Sequence, residues 1–184
     1  DSSKLTTPTR DYFVQSGEPI DLLYKRLFSL ASRQTGIPLS IDGQEGMSIL
    51  HYGPTDHYKR HCDGHCGDTR STYWSKEHPG ARVATAIVYC DEPLRGGATT
   101  FDQAGVVVRP SYGQLLLFSY MNRKLGSGLS APSQLRSSYD YLGLTKHAGC
   151  PVHEGEKWIA TAWMRTGLST EKPWDKYDAF GNEI

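Results

Sequence analysis

Residues 157–163 read KWIATAW, and residues 82–89 read RVATAIVY. Neither stretch contains Gly or Pro, both are rich in β-branched or aromatic residues, and both read as strands. In the first, alternation puts Lys157, Ile159, Thr161 and Trp163 on one face and Trp158, Ala160 and Ala162 on the other. A lysine on an otherwise largely apolar face is costly unless it is paired. It either snorkels to water from the strand end or serves as counter-ion for a ligand carboxylate.

The same period of two extends outward from these stretches. Met47–Tyr52, His57–Asp63, Ala98–Asp102, Val106–Arg109 and Gln114–Tyr120 are predicted strands. Turn signals lie among them: GP at 53–54, RGG at 95–97 and PSYG at 110–113. Many short strands in succession predict a sandwich, jelly roll or barrel. Pro19–Thr35 is a predicted helix: Pro19 suits its first turn, Leu22, Leu23, Leu27 and Leu30 repeat at helical spacing, and Gly36 supplies a stop. Residues 64–81 and 121–145 are long polar connections, of the kind that serve as lids or stay disordered.

The chain has 184 residues, enough for one domain with a real core. Lys plus Arg balance Asp plus Glu at 20 each, so no global field favours nucleic acid or an anionic membrane. No apolar run approaches a membrane span. Asp1 stands where an initiator Met would, which fits a processed or trimmed piece of a longer protein. Four cysteines, Cys62, Cys66, Cys90 and Cys150, allow three disulfide pairings or free thiols packed as small hydrophobes.

His61 and Asp63 are two apart on a predicted strand and therefore share a face, with Cys62 on the other. His147 follows at a distance, in HAGCPVHEGEKW, and Lys157 lies ten residues beyond it. Two histidines and one carboxylate are the ligand set of the facial triad that holds non-haem Fe(II) and leaves positions open. Other readings compete. His57 and His61 have HxxxH spacing, but Tyr58 stands where a zinc protease carries its glutamate. His61, Cys62, His65 and Cys66 form a candidate zinc set, although strand alternation would split them between faces.

The segments LHYGPTDHYKRHCD (50–63), RVATAIVY (82–89), GGATTF (96–101), VRPSYG (108–113), Phe118 and HAGCPVHEGEKW (147–158) together resemble the catalytic domain of the collagen-type prolyl 4-hydroxylases. That family consists of Fe(II)- and 2-oxoglutarate-dependent dioxygenases. The resemblance implies a mainly β fold with flanking helices: a double-stranded β-helix, the jelly-roll or cupin-like barrel. It implies one domain over 1–184, with an arm at 1–18, supporting helix and connector at 19–46, barrel core at 47–165 and tail at 166–184. His61, Asp63 and His147 would hold iron, and Lys157 would pair with the distal carboxylate of 2-oxoglutarate. Tyr52, Thr99 and Trp163 match cosubstrate-pocket positions, and Tyr58 and Arg82 match positions near a peptide substrate.

The resemblance also implies O2, L-ascorbate as rescue reductant, and a collagen-like or other proline-rich polypeptide as substrate. Such a chain is extended and preformed as polyproline II, and Tyr58, Tyr73 and Trp74 are candidates to stack on it. The endoplasmic reticulum lumen or secretory pathway is the implied compartment, with the cytoplasm as alternative; no subunit partner is named by the residues. Residues 64–81 and 121–145 depart from the family pattern and would border the substrate cleft. A related dioxygenase with another substrate, a non-catalytic peptide-binding module on the same barrel and a zinc-binding domain built on HCDGHC are the competing functions.

Overall fold

The structure is a computed structural model, and it describes residues 10–12, 19–66, 80–120, 140 and 142–184. Among these residues lie eleven strands and one α-helix: β1 Arg10–Tyr12, α1 Pro19–Thr35, β2 Met47–Tyr52, β3 Tyr58–His61, β4 Arg82–Tyr89, β5 Arg95–Gly96, β6 Thr99–Phe101, β7 Val106–Val108, β8 Leu115–Ser119, β9 His147–Gly149, β10 Val152–Glu154 and β11 Lys157–Arg165. A five-stranded sheet runs β1-β2-β11-β4-β8, and a four-stranded sheet runs β3-β9-β6-β7. β5 and β10 form a two-stranded ribbon. Every pairing within these sheets is antiparallel.

β4 and β11, the two stretches that open the sequence reading, lie side by side at the centre of the large sheet, with Thr85 opposite Trp163 and Ile87 opposite Thr161. Alternation sends their side chains to two separate cores. Ala84, Ala86, Ala160, Ala162 and Met164 pack with Tyr24, Leu27, Phe28 and Ala31, which are the apolar stripe of α1. The run of alanines on that face leaves room for the helix to lie close to the sheet. On the other face Leu50, Tyr52, Ile87, Tyr89 and Ile159 close over Val152, with Tyr58, Val108, Leu116 and Phe118 at the margin. This second core is the barrel interior. Among the described residues, no helix is long and apolar enough to cross a membrane.

Four details differ from the sequence expectations. The arm contributes an edge strand, since β1 pairs with β2 with Arg10 opposite Ile49. Three residues are too few to show a period, and an edge position needs only backbone hydrogen bonds. The RGG turn contains a strand, β5, paired with β10. β9 and β10, flanked by Gly, Cys and Pro, lack alternation long enough to read. The predicted strand over His57–Asp63 is shorter than expected: β3 ends at His61, and Asp63 lies in the bend beyond it. Tyr73 and Trp74, and most of the two long polar connections, lie outside the described residues.

Candidate active site

β3 and β9 are adjacent strands, and His61 is the direct partner of His147 in their register. The cross-strand pair brings the imidazoles together, with ring centroids 4.4 Å apart and planes tilted by 53°. The bend after β3 returns Asp63 to the same point. His61 Nε2 lies 3.1 Å from Asp63 Oδ1, and His147 Nε2 lies 3.7 Å from Asp63 Oδ2. Among the described residues, His61, Asp63 and His147 form the group able to hold a metal, with ligand atoms within 4.8 Å of one another. Shared strand facing between His61 and Asp63 was expected; a strand end followed by a turn achieves the convergence instead.

Each histidine is oriented by its other nitrogen. His61 Nδ1 is 2.8 Å from the carbonyl of Lys59, and His147 Nδ1 is 2.9 Å from that of Thr145. A carbonyl can only accept, so Nδ1 carries the proton and Nε2 keeps its lone pair for a metal. The Asp140 carboxylate builds the turn behind His147, accepting the N–H groups of Leu144 and Thr145 at 2.6 Å each. Tyr58 packs on the His61 ring at 4.1 Å between centroids, and Phe118 meets His147 edge-on at 5.0 Å.

Asp63 is surrounded by partners. Burial by itself would raise its carboxyl, but the adjacent His61 and His147 rings and the hydrogen bond from the Thr85 hydroxyl hold it well below the usual carboxylate range. Thr85 Oγ1 donates to Asp63 Oδ2 at 2.9 Å. Burial pulls the His147 imidazole below its ordinary value against the attraction of Asp63, a shift toward the neutral ring that ligation requires.

Behind Asp63 stands a buried charge cluster. Arg82 donates to its backbone carbonyl at 3.2 Å and makes a bidentate pair with Glu45, 2.6 Å on each arm. Arg165 also pairs with Glu45, and the Tyr24 hydroxyl of α1 donates to the Glu45 carbonyl at 2.7 Å. The Arg82 guanidinium lies 4.3 Å over the Trp163 ring. Arg82, expected near a peptide, therefore sits in the wall that holds Asp63.

Lys157 occupies contrasting surroundings. It is 1% exposed, and its Nζ has the Gly97 carbonyl at 3.0 Å and the Tyr52 ring at 4.1 Å. Among the described residues it has no ion-pair partner. Burial pulls its ammonium down to about 8. Gly97, at φ +70°, turns the carbonyl to Lys157; a Cβ there would also meet Pro93 Cγ at 2.8 Å. A Cβ on Gly149 would stand 3.7 Å from Lys157 Nζ, so the cation lies beneath the strand that carries His147. Thr99 pairs with Gly149 across β6 and β9, and its hydroxyl meets that of Tyr89 at 2.8 Å. Trp163 Nε1 is buried without a hydrogen-bond partner among the described residues.

A monoanionic N,N,O donor set with a buried, unneutralised cation beside it suits a divalent first-row metal and a carboxylate-bearing cosubstrate. Residues 47–165, more than half of the chain, match the family model described as the 2OG-Fe(II) oxygenase superfamily. The chain belongs to this superfamily.

The donor set and the unpaired Lys157 fit the Fe(II) and 2-oxoglutarate that define the oxygenases. A putative prolyl 4-hydroxylase of Acanthamoeba polyphaga mimivirus is 29% identical over 143 residues, 78% of this chain and 53% of that protein. The alpha-2 subunit of prolyl 4-hydroxylase from Caenorhabditis elegans is 34% identical over 120 residues, 65% of this chain and 20% of the subunit. The chain thus spans about half or less of these relatives. Among solved structures, a viral collagen prolyl hydroxylase of Paramecium Bursaria Chlorella virus-1, in complex with 2-oxoglutarate, superposes with TM-score 0.64 at 23% identity, over 88% of this chain and 80% of that one. That likeness establishes the double-stranded β-helix fold.

Sequence reasoning missed Glu45, Thr85, Tyr120, Asp140 and Arg165, which support the triad. Arg165 carried a signal: an arginine closing the apolar strand KWIATAWM needs a buried acid somewhere. Thr85 and Tyr120 carried none, because both read as ordinary strand residues.

Proposed function

We propose that this chain is the catalytic domain of a peptidyl-proline 4-hydroxylase acting on collagen-like or other proline-rich polypeptides, with Fe(II), 2-oxoglutarate and O2. The observation that carries the reading is the buried Lys157 ammonium, unpaired, beneath the strand that presents His147. The prolyl 4-hydroxylase relatives support the substrate class. When bound, the metal and cosubstrate supply the oxygen chemistry, in which decarboxylation of 2-oxoglutarate to succinate and carbon dioxide is coupled to hydroxylation.

The chain's residues supply placement. His61, Asp63 and His147 would hold the metal. Lys157 would take the distal carboxylate of 2-oxoglutarate, with Tyr52 and Thr99 lining its pocket, while Trp163, opposite Thr85, would close the pocket at the Asp63 end. Leu50, Ile87 and Ile159 keep the interior dry, which strengthens the Lys157–carboxylate attraction. Tyr58, half-buried against His61, is positioned to pack on a prolyl segment, and Arg82, stacked on Trp163, is close enough for its charge to act on the Tyr58 hydroxyl. L-Ascorbate is the reductant that the family implies. Cys62 and Cys66, 5.9 Å apart at Cα and joined as a disulfide, favour the endoplasmic reticulum lumen or secretory pathway. Alkylation mass spectra before and after reduction check that pairing; two free thiols in the native protein would remove this support.

The test is mass spectrometry of a proline-rich peptide panel incubated with protein, Fe(II), 2-oxoglutarate and ascorbate, with succinate followed in parallel. One oxygen added to proline, matched by succinate, is the expected result. Succinate with no peptide oxidised would keep the oxygenase and overturn the substrate.

A further inference from the structure

We infer that Thr85 and Tyr120 are positioning residues for the metal centre, forming a one-way hydroxyl chain that holds the Asp63 carboxylate; the inference rests on the iron site proposed above. The direction of the chain follows from proton count. Ionised Asp63 can only accept, so Thr85 gives its single hydroxyl proton to Asp63 Oδ2. The Thr85 oxygen is then left as an acceptor. The Tyr120 hydroxyl is in hydrogen-bond contact with it and must be the donor. Thr85 is fully buried and Tyr120 is 1% exposed, so water does not compete.

Each end of the chain is anchored. Thr85 is central in β4, opposite Trp163 on one side and Phe118 on the other. Tyr120 follows β8; its N–H donates to the Val83 carbonyl at 3.1 Å and its own carbonyl accepts the N–H of Asp140 at 3.0 Å. Its ring lies against Gly64, the residue after Asp63, so closely that a Cβ there would come within 2.6 Å. The ring therefore braces the bend that carries the carboxylate while the hydroxyl fixes the carboxylate's rotation. With Oδ2 held by Thr85, Oδ1 faces His61 Nε2, so the two oxygens have different duties. Partners of metal-ligating carboxylates typically contribute about 10- to 100-fold in metal affinity.

The experiment is anaerobic titration with Mn(II) alone, following its dissociation constant in wild type, Thr85→Val, Thr85→Ser, Tyr120→Phe and the Thr85→Val/Tyr120→Phe double variant. Circular dichroism confirms folding. Thr85→Val should weaken Mn(II) by about 10- to 100-fold. Tyr120→Phe should weaken it by less, and Thr85→Ser should restore it. The double variant should be no worse than Thr85→Val, because both changes cut one chain. The KM for 2-oxoglutarate, set at Lys157, should not move. Wild-type Mn(II) affinity in both single variants, or effects that add in full, would overturn the inference. If Thr85→Val does not fold, Tyr120→Phe decides. Asp63→Ala separates the two levels: Mn(II) bound normally there sinks the iron site itself, whereas loss there with retention in Thr85→Val and Tyr120→Phe sinks only the chain.

Discussion

Asp63 and Lys157 are both ionisable and nearly fully buried, yet one is surrounded by partners and the other is not. Asp63 accepts from Thr85, faces two imidazoles, and has its backbone carbonyl held by Arg82. Lys157 has a carbonyl and a tyrosine ring. The protein compensates the carboxylate in advance, so that it stays ionised to meet a cation. It leaves the ammonium uncompensated, which costs stability until an anion arrives. A third buried group, Glu45, shows that the fold can neutralise a charge fully when no ligand is expected: two arginines hold it.

The most damaging way to break this contrast is at the metal end. Asp63→Ala should lower Mn(II) affinity by more than the roughly 100-fold upper range of supporting residues and abolish turnover; calorimetry and succinate release measure both. Next comes the neutralised cluster. Glu45→Gln leaves the buried Arg165 and the half-buried Arg82 short of counter-charge and should lose about 3–5 kcal/mol in denaturant unfolding. A loss below about 1 kcal/mol would show that water already screens the cluster.

Lys157→Met sharpens the contrast in the opposite direction. Removing an unpaired buried charge should stabilise the ligand-free protein by about 3 kcal/mol at neutral pH, the cost of an ammonium pulled from 10.5 down to about 8. The sign follows from linkage. Between about 8 and 10.5 the unfolded lysine keeps a proton that the folded one has lost, so wild-type stability rises with pH across that window. The advantage of Lys157→Met should therefore shrink over the same window. A constant gap would place its origin in packing.

Much of the chemistry was legible because it depends on residue type at a short range. His61-x-Asp63, a later histidine, and a lysine on an apolar strand face are visible in one dimension, and period-two patterning gave most of the long strands. The supporting layer was not legible. Glu45 lies in a turn-rich connector, and its partners are 37 and 120 residues away. Thr85 and Tyr120 look like strand filler until β4 and β8 are set side by side. The arm became β1 through backbone bonds that no side-chain pattern records. Asp63 reached the triad by a bend after the strand, where alternation no longer applies.

The most direct test of the central claim is a calorimetric titration of 2-oxoglutarate into Mn(II)-loaded wild type and Lys157→Met. If Lys157 is the waiting counter-ion, wild type binds and the variant is weaker by about 30-fold or more, the effect of removing one partner of a buried charge pair. Wild-type affinity should also fall above pH 8, as the ammonium loses its proton. Equal affinity in the two proteins would place the cosubstrate carboxylate elsewhere and leave the buried lysine without a role.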